Sequence, residues 1–391
     1  MLAPEAPYPL HGGGAYRTAS LLHDFALFAD VDLILMSEGG RPALLPPGLI
    51  TKQTVIPLPV HGRGTLERYL RNGRRAVAGV PPLTDRFSGL GAALLRALAG
   101  TRYDLGIVEH SWCAGYVSEL STVCERTVLD LHNVESVLHE RCAAANRGLV
   151  AIGHRRFARM SRKLESQLFP QYSVVLAASR QDAARAAEIA PAARIEVYPN
   201  AIPWVEKPRI AAQRVIAFSG NFEYHPNIDA VRFLTREIWP EIRRRHPELR
   251  LRLIGRGRRF VDDGGIEATG RVVDAFSEIA AAAVVVAPLR VGSGTRIKIL
   301  EAWAACRPVV ATPLAAEGLD ASHGHDIILA RTAAEFADAV DRLLADAELA
   351  KRIGDAGRLN FESNYTWDAA WRALALYLQL KVSMELNRYT G

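Results

Sequence analysis

The sequence predicts a two-domain α/β protein built on parallel sheets. Three observations carry that prediction. First, Val284–Pro313 holds an apolar run (Val284–Ala287), a glycine turn (Gly292-Ser293-Gly294), a helix opening at Thr295 and a second apolar run (Val309–Ala311), which is the order of a strand–helix–strand unit. Second, a glycine turn leading into a helix occurs near the start, at Gly12–Gly14, and again after the apolar run Val215–Ser219, at Gly220. Third, 391 residues at 49% hydrophobic and 23% charged suffice for two domains, each with its own core.

Composition bounds the function. Cys113, Cys124, Cys142 and Cys306 show no paired spacing, so they read as reduced thiols of a cytoplasmic protein. The N-terminus lacks a basic and apolar leader, and no apolar run approaches the roughly 18–20 residues that span a bilayer. A net charge of +6 favours acidic partners, whether phosphates, nucleic acid or an anionic membrane, without choosing among them. No aromatic residues interleave the basic ones, so nucleic acid is not an expected partner.

In chain order, Met1-Leu2-Ala3 is all that stands where a full first strand is expected. That predicts a natural start several residues upstream or a compromised domain. A proline-rich loop leads to Gly12–Gly14, either a loop for close backbone approach or a plain turn. A helix follows over Ala15–Ala29, then strands at Val31–Met36 and Val55–Leu58. Helices are predicted at Thr65–Ala78 and Asp85–Leu98. The first mixes Arg68, Arg71, Arg74 and Arg75 with Leu66, Tyr69, Leu70 and Val77; such a helix lies on anionic lipid or is a solvated face. Strands at Leu105–Glu109 and Thr127–Leu131 end in Glu109-His110 and His132-Asn133, beyond the carboxyl ends where parallel sheets bear ligands. By position alone His132 is equally a ligand-side residue or a helix cap. A basic helix (Arg155–Phe169), a strand (Ser173–Ala177), a helix capped by Ser179 and Asp182, and a strand (Ile195–Tyr198) complete this half. Pro199 and Pro203 stiffen the crossing to the next.

The second half repeats the plan: strand Val215–Ser219, a loop through Gly220 and Asn221, and a helix from Ile228. His225 and Asn227 either contribute hydrogen bonds there or, the favoured reading, serve as turn and cap residues. Strand Leu249–Ile254 ends in Gly255-Arg256-Gly257, too short for a dinucleotide fingerprint. After the Val284–Pro313 unit come a last strand (Asp326–Ala330) and helices at Ala333–Leu344, Glu348–Asn364 and Trp367–Leu380. Arg296 and Lys298 sit in the first turn of their helix, where cations are disfavoured by roughly 0.3–1 kcal/mol each unless an anion binds there. Glu301 follows Lys298 on the same face. That set suits a nucleotide, the cations taking phosphate and the carboxylate taking ribose hydroxyls; a solvated surface pair is the alternative.

The stretch GSGTRIKILEAWAACRPVVATPLAAEGL, starting at Gly292, resembles the C-terminal signature of retaining glycosyltransferases of family 4, which have the GT-B fold. The likeness runs over nearly the whole chain. It implies two Rossmann-like domains facing across a cleft, residues 1–203 (completed by about 367–391) binding the acceptor and 204–366 the donor. It further implies that Arg296 and Lys298 bind the donor diphosphate, Glu301 the ribose, and Val272 the base through its backbone. Gly13, Gly14, Gly220, Asn221, Gly294 and Thr295 would line the donor, and His132 would lie near its sugar. Glu165 would be a structural pairing residue. Ser293 stands where many members carry a Glu on the sugar, and Asn221 where many carry an Arg on the diphosphate. Arg296 and Lys298 must then supply the positive charge.

The implied activity is transfer of a sugar from a nucleotide diphosphate sugar to a glycan or lipid-linked acceptor, with retention. The implied setting is the cytoplasm, peripheral to an anionic membrane surface, as in polysaccharide biosynthesis. No cofactor is called for, and no acidic cluster with metal-ligand spacing appears, so the chemistry is expected to need no metal. A non-catalytic nucleotide-sugar-binding relative and a nucleotide-sugar epimerase are the alternatives.

Overall fold

The computed structural model describes residues 1–10, 12–60, 64–257, 264–292 and 297–378. They fall into two compact units. The first comprises Met1–Glu140, Ile152–Pro199 and the C-terminal segment from Trp367; the second comprises Arg141–Ala151 and Asn200–Thr366.

The first unit holds a seven-stranded parallel sheet made of β1 (Leu2–Ala3), β2 (Asp32–Glu38), β3 (Lys52–Leu58), β4 (Tyr103–Glu109), β5 (Cys124–Asp130), β6 (Val174–Ala177) and β7 (Ile195–Val197), in the order β3-β2-β1-β4-β5-β6-β7. Short as it is, β1 holds the centre. Leu2 and Ala3 pair with Ile34 and Leu35 on one side, and Leu2 with Val108 on the other. Both residues are buried, beside Val108, Leu129 and Val175. Full burial of each such aliphatic side chain contributes about 1.5–3 kcal/mol.

The second unit repeats the plan with six parallel strands: β8 (Val215–Ser219), β9 (Arg250–Ile254), β10 (Ile266–Gly270), β11 (Val284–Ala287), β12 (Val309–Ala311) and β13 (Ile328–Leu329), in the order β10-β9-β8-β11-β12-β13. Every residue of β8, β11 and β12 is buried, as expected of strands covered on both faces. In each sheet the strand order reverses beside the first strand of the unit, and that reversal opens a crevice at the carboxyl ends.

Several local expectations are corrected. The helix foreseen over Asp85–Leu98 is two, Pro82–Phe87 and Gly91–Leu98, broken where Gly89 adopts φ +77°. The first long helix begins at Gly13 rather than Ala15 and ends at Ala26. Strand β10 and the helices Glu135–Ala145 and Ala275–Ala280 were not foreseen. The last helix, described over Trp367–Leu378, belongs to the first unit. Trp371 meets Phe25 and Phe28 at centroid distances of 5.1 and 5.4 Å, and Trp367 meets His23 at 5.2 Å. Pairs of this kind each add about 0.5–1.5 kcal/mol beyond their burial.

Candidate functional site

In the first unit the ends of β4 and β5 and the start of the Gly13–Ala26 helix converge. Arg17 and Asp130, both fully buried, form a two-pronged pair: Nε donates to Oδ2 at 2.7 Å and Nη2 to Oδ1 at 2.5 Å. Arg17 Nη1 also donates to the Tyr198 carbonyl at 2.6 Å. Thr18 Oγ1 donates to Glu109 Oε2 at 2.9 Å. His132 Nε2 lies 2.9 Å from that same Oε2 and 3.4 Å from Asp130 Oδ2. The His110 ring stacks on His132 at 3.5 Å and on Trp112 at 4.0 Å. His110 has φ +65°, a strained backbone for a non-glycine residue, which costs of order 1 kcal/mol and recurs at functional sites.

Burial opposes any charge in this cluster, and the partners decide which charges survive. It pushes His110 well below its ordinary pKa, with His132 and Arg17 acting the same way, so that ring is neutral. It opposes charge on His132 too, but Asp130 and Glu109 outweigh it and raise His132. Burial pushes Glu109 up, helped by Asp130. It acts likewise on Asp130, but Arg17 and His132 prevail and hold that carboxyl low. Glu109, Asp130 and His132 each bring a ligand-type atom within 4.8 Å of the others. Arg17 already neutralises Asp130, so a divalent ion there would be set against a buried guanidinium.

Gly13 and Gly14 are the first residues of the Gly13–Ala26 helix. A Cβ at position 14 would come within 3.3 Å of His132 Nδ1, so glycine there keeps the ring accessible from the loop. These two predicted residues and His132 are therefore brought together. Glu165 accepts from the Ser136 amide at 3.1 Å and the Ser136 hydroxyl at 2.5 Å, which anchors the start of the Glu135–Ala145 helix.

In the second unit the crevice between β8 and β11 gathers a separate group. Gly220 and Asn221 follow β8. Asn221 Oδ1 accepts from the Glu223 amide at 3.0 Å, and its carbonyl accepts from Asn227 Nδ2 at 2.9 Å. Asn227 Oδ1 in turn accepts from Lys298 Nζ at 2.8 Å, and that ammonium sits 4.7 Å from the Phe218 ring centroid. One turn on, Glu301 is half-buried; burial pushes its pKa up to about 7 against the pull of Lys298. Gly220, Asn221, Lys298 and Glu301 thus share one neighbourhood. Val272 is half-buried just past the end of β10. Gly294, Thr295 and Arg296 lie outside the described residues.

Sequence reasoning missed several members. Asn227, read first as a turn and cap residue with a hydrogen-bonding role as the alternative, is the anchor of Lys298. Gly255, at φ +139°, packs against Gly220: a Cβ there would overlap the Gly220 carbonyl oxygen. Arg17, Thr18 and Asp130 gave no local signal, because their partners stand 91 to 181 positions away.

Residues 213–346 match the family model described as Glycosyl transferases group 1. That segment includes Gly220, Asn221, Asn227, Lys298 and Glu301. A search of curated proteins returns no match. Among solved structures, sucrose-phosphate synthase from Thermosynechococcus elongatus superposes with a TM-score of 0.71 at 16% identity, covering 97% of this chain and 98% of that one. Anabaena HepE, in complex with UDP and glucose, gives 0.67 at 14%, covering 97% and 99%. A trehalose-6-phosphate synthase studied with bisubstrate glycomimetics gives 0.64 at 14%, covering 97% and 98%. At such identities the likeness is one of fold. The chain has the GT-B fold, and its residues 213–346 match a glycosyl transferases group 1 domain.

Proposed function

We propose that the protein is a retaining glycosyltransferase that moves a sugar from a nucleotide diphosphate sugar to a glycan or lipid-linked acceptor. The observation that carries this reading is Lys298, fixed by Asn227 and Phe218 inside the matched segment, with the half-buried Glu301 one turn further along. A buried-edge ammonium at a helix start is poised for an anion. The chemistry asks for a diphosphate to leave an oxocarbenium-like carbon. In this reading Lys298 and Arg296 stabilise the charge growing on that leaving group, which is electrostatic catalysis. Glu301 accepts from the ribose, and the backbone near Val272 faces the base. The departing phosphate itself takes the proton of the incoming hydroxyl on the same face, so neither a protein nucleophile nor a metal is required. The complex of HepE with UDP and glucose makes UDP the first nucleotide to try.

The setting proposed is cytoplasmic and peripheral to an anionic membrane. No described helix is long and apolar enough to cross a membrane. Tyr69, Leu70 and Val77 are 63, 66 and 84% exposed along one side of the Thr65–Ala78 helix, while Arg75 is turned inward onto Asp85 at 2.6 Å. That arrangement leaves apolar side chains facing outward, as an interfacial helix requires.

Thermal and chemical unfolding in the presence of UDP, GDP, ADP and CMP tests the donor site. One nucleotide at 100 times its Kd should add about 2.7 kcal/mol to the wild type, and Lys298→Ala should lose most of that gain. Stabilisation by none of the four, or an equal gain in Lys298→Ala, overturns the assignment.

A further inference from the structure

We propose that Glu109 is a positioning residue for His132, holding ring nitrogen Nε2 so that Nδ1 is presented as a hydrogen-bond donor to the space over the Gly12–Gly14 loop. The geometry of the ring leaves little choice. Nε2 is 2.9 Å from Glu109 Oε2 and 3.4 Å from Asp130 Oδ2. While Glu109 is ionised its oxygens only accept, so Nε2 then carries the proton in either charge state of the ring. His110, stacked at 3.5 Å, prevents the ring from turning. Nδ1 then faces Gly14, where a Cβ would crowd it at 3.3 Å. His132 itself is only 7% exposed.

Charge counting decides what Nδ1 carries. The groups facing the ring are Glu109 from β4, His110 just beyond it, Asp130 from β5, Arg17 from the Gly13–Ala26 helix and Glu135 from the next helix, with Glu5 near Gly14. Arg17 cancels Asp130 through its two-pronged pair. His110 is neutral in its buried place. Glu135 is turned to Trp112 Nε1 at 3.0 Å, and burial drives it toward its protonated form, its pKa raised to about 7. Burial and Asp130 push fully buried Glu109 toward its neutral form too, and an imidazolium at His132 with the Thr18 hydroxyl is what opposes that push. Thr18 Oγ1 fixes the same Oε2 at 2.9 Å, from one turn beyond Gly14 on the same helix. Helix, carboxylate and ring therefore form a closed circuit that aims an N–H back at the start of that helix.

The state of the ring is independent of the proposed function; only its use toward a substrate hydroxyl or anion rests on that reading. The test is a pH titration of the full chain labelled with 15N-histidine, comparing the wild type with Glu109→Gln, which keeps an acceptor but removes the charge. Wild-type His132 should be doubly protonated at pH 7 and become the Nε2–H tautomer at high pH. Glu109→Gln should lower its midpoint by about 1 pH unit or more. A wild-type ring that is neutral at pH 7, or found as the Nδ1–H tautomer, overturns the proposal without any variant. So does an unchanged midpoint in Glu109→Gln. If donor turnover is also measurable, the pH profile of kcat/KM should shift with the same midpoint. Absence of all turnover would count against the proposed function and leave the titration to judge Glu109.

Discussion

At the scale of single residues, the second unit turns on an ammonium whose own helix end repels it. Lys298 is held there by a hydrogen bond to Asn227 and by the face of Phe218. Asn227 thus gives that ammonium an uncharged anchor. In the first unit the opposite is done: Arg17 is matched oxygen for oxygen by Asp130. Asp24 shows what an unmatched carboxylate does. It is buried, its Oδ2 has no partner, and burial raises its pKa to about 6 despite His23. A carboxyl raised in the fold stabilises most below its unfolded value near 3.8, and that contribution is lost as pH rises through about 6. Asp24→Asn should therefore be more stable than the wild type at pH 7, with the difference vanishing by pH 4, as followed by urea midpoints. A variant that is less stable at pH 7 than the wild type would contradict this. Of these residues, Lys298, Glu301 and His132 stood out in the sequence, by their place after a strand or glycine turn and by the family resemblance. Glu109 and His110 were seen only as lining. Arg17 and Asp130 were not legible, since a buried ion pair 113 positions apart leaves no local pattern.

At the scale of elements, strands were legible where they are wholly buried and therefore continuously apolar, as in Val215–Ser219 and Val309–Ala311. Strand β10 was missed for the converse reason: at the sheet edge it is nowhere buried, and its residues Ile266–Gly270 lack an apolar run. The Thr65–Ala78 helix was read correctly in its bounds, but its orientation needed the structure. Arg75 is engaged by Asp85, and Tyr69, Leu70 and Val77 are exposed. Cosedimentation should show the wild type bound to vesicles containing phosphatidylglycerol and unbound to phosphatidylcholine alone. Replacing Tyr69, Leu70 and Val77 together with Ser should weaken binding about tenfold or more, since burial of even one such side chain in the interface is worth about 1.5–3 kcal/mol. Failure of the wild type to bind anionic vesicles, or self-association through this helix instead, would contradict the membrane reading.

At the scale of the whole molecule, the same strand order appears twice, and each repeat places its chemical group at its own switch point. The first collects His132, Glu109, Asp130 and the glycine loop; the second collects Lys298, Asn227 and Glu301. Duplication of the sheet was legible in the repeated strand–glycine–helix order, and Leu2 and Ala3 pair at the centre of the first sheet. The central claim is sugar transfer with retention, driven by charge at the leaving diphosphate. Its most direct test is to incubate the protein with α-linked nucleotide diphosphate sugars, UDP-glucose first, with candidate acceptors, and to follow nucleotide release and the anomeric proton of the first-formed product by NMR. The account predicts an α-linked product from one donor, at a rate reduced about 10²-fold or more in Lys298→Ala. A β-linked product, or a donor consumed at an undiminished rate by Lys298→Ala, would contradict it.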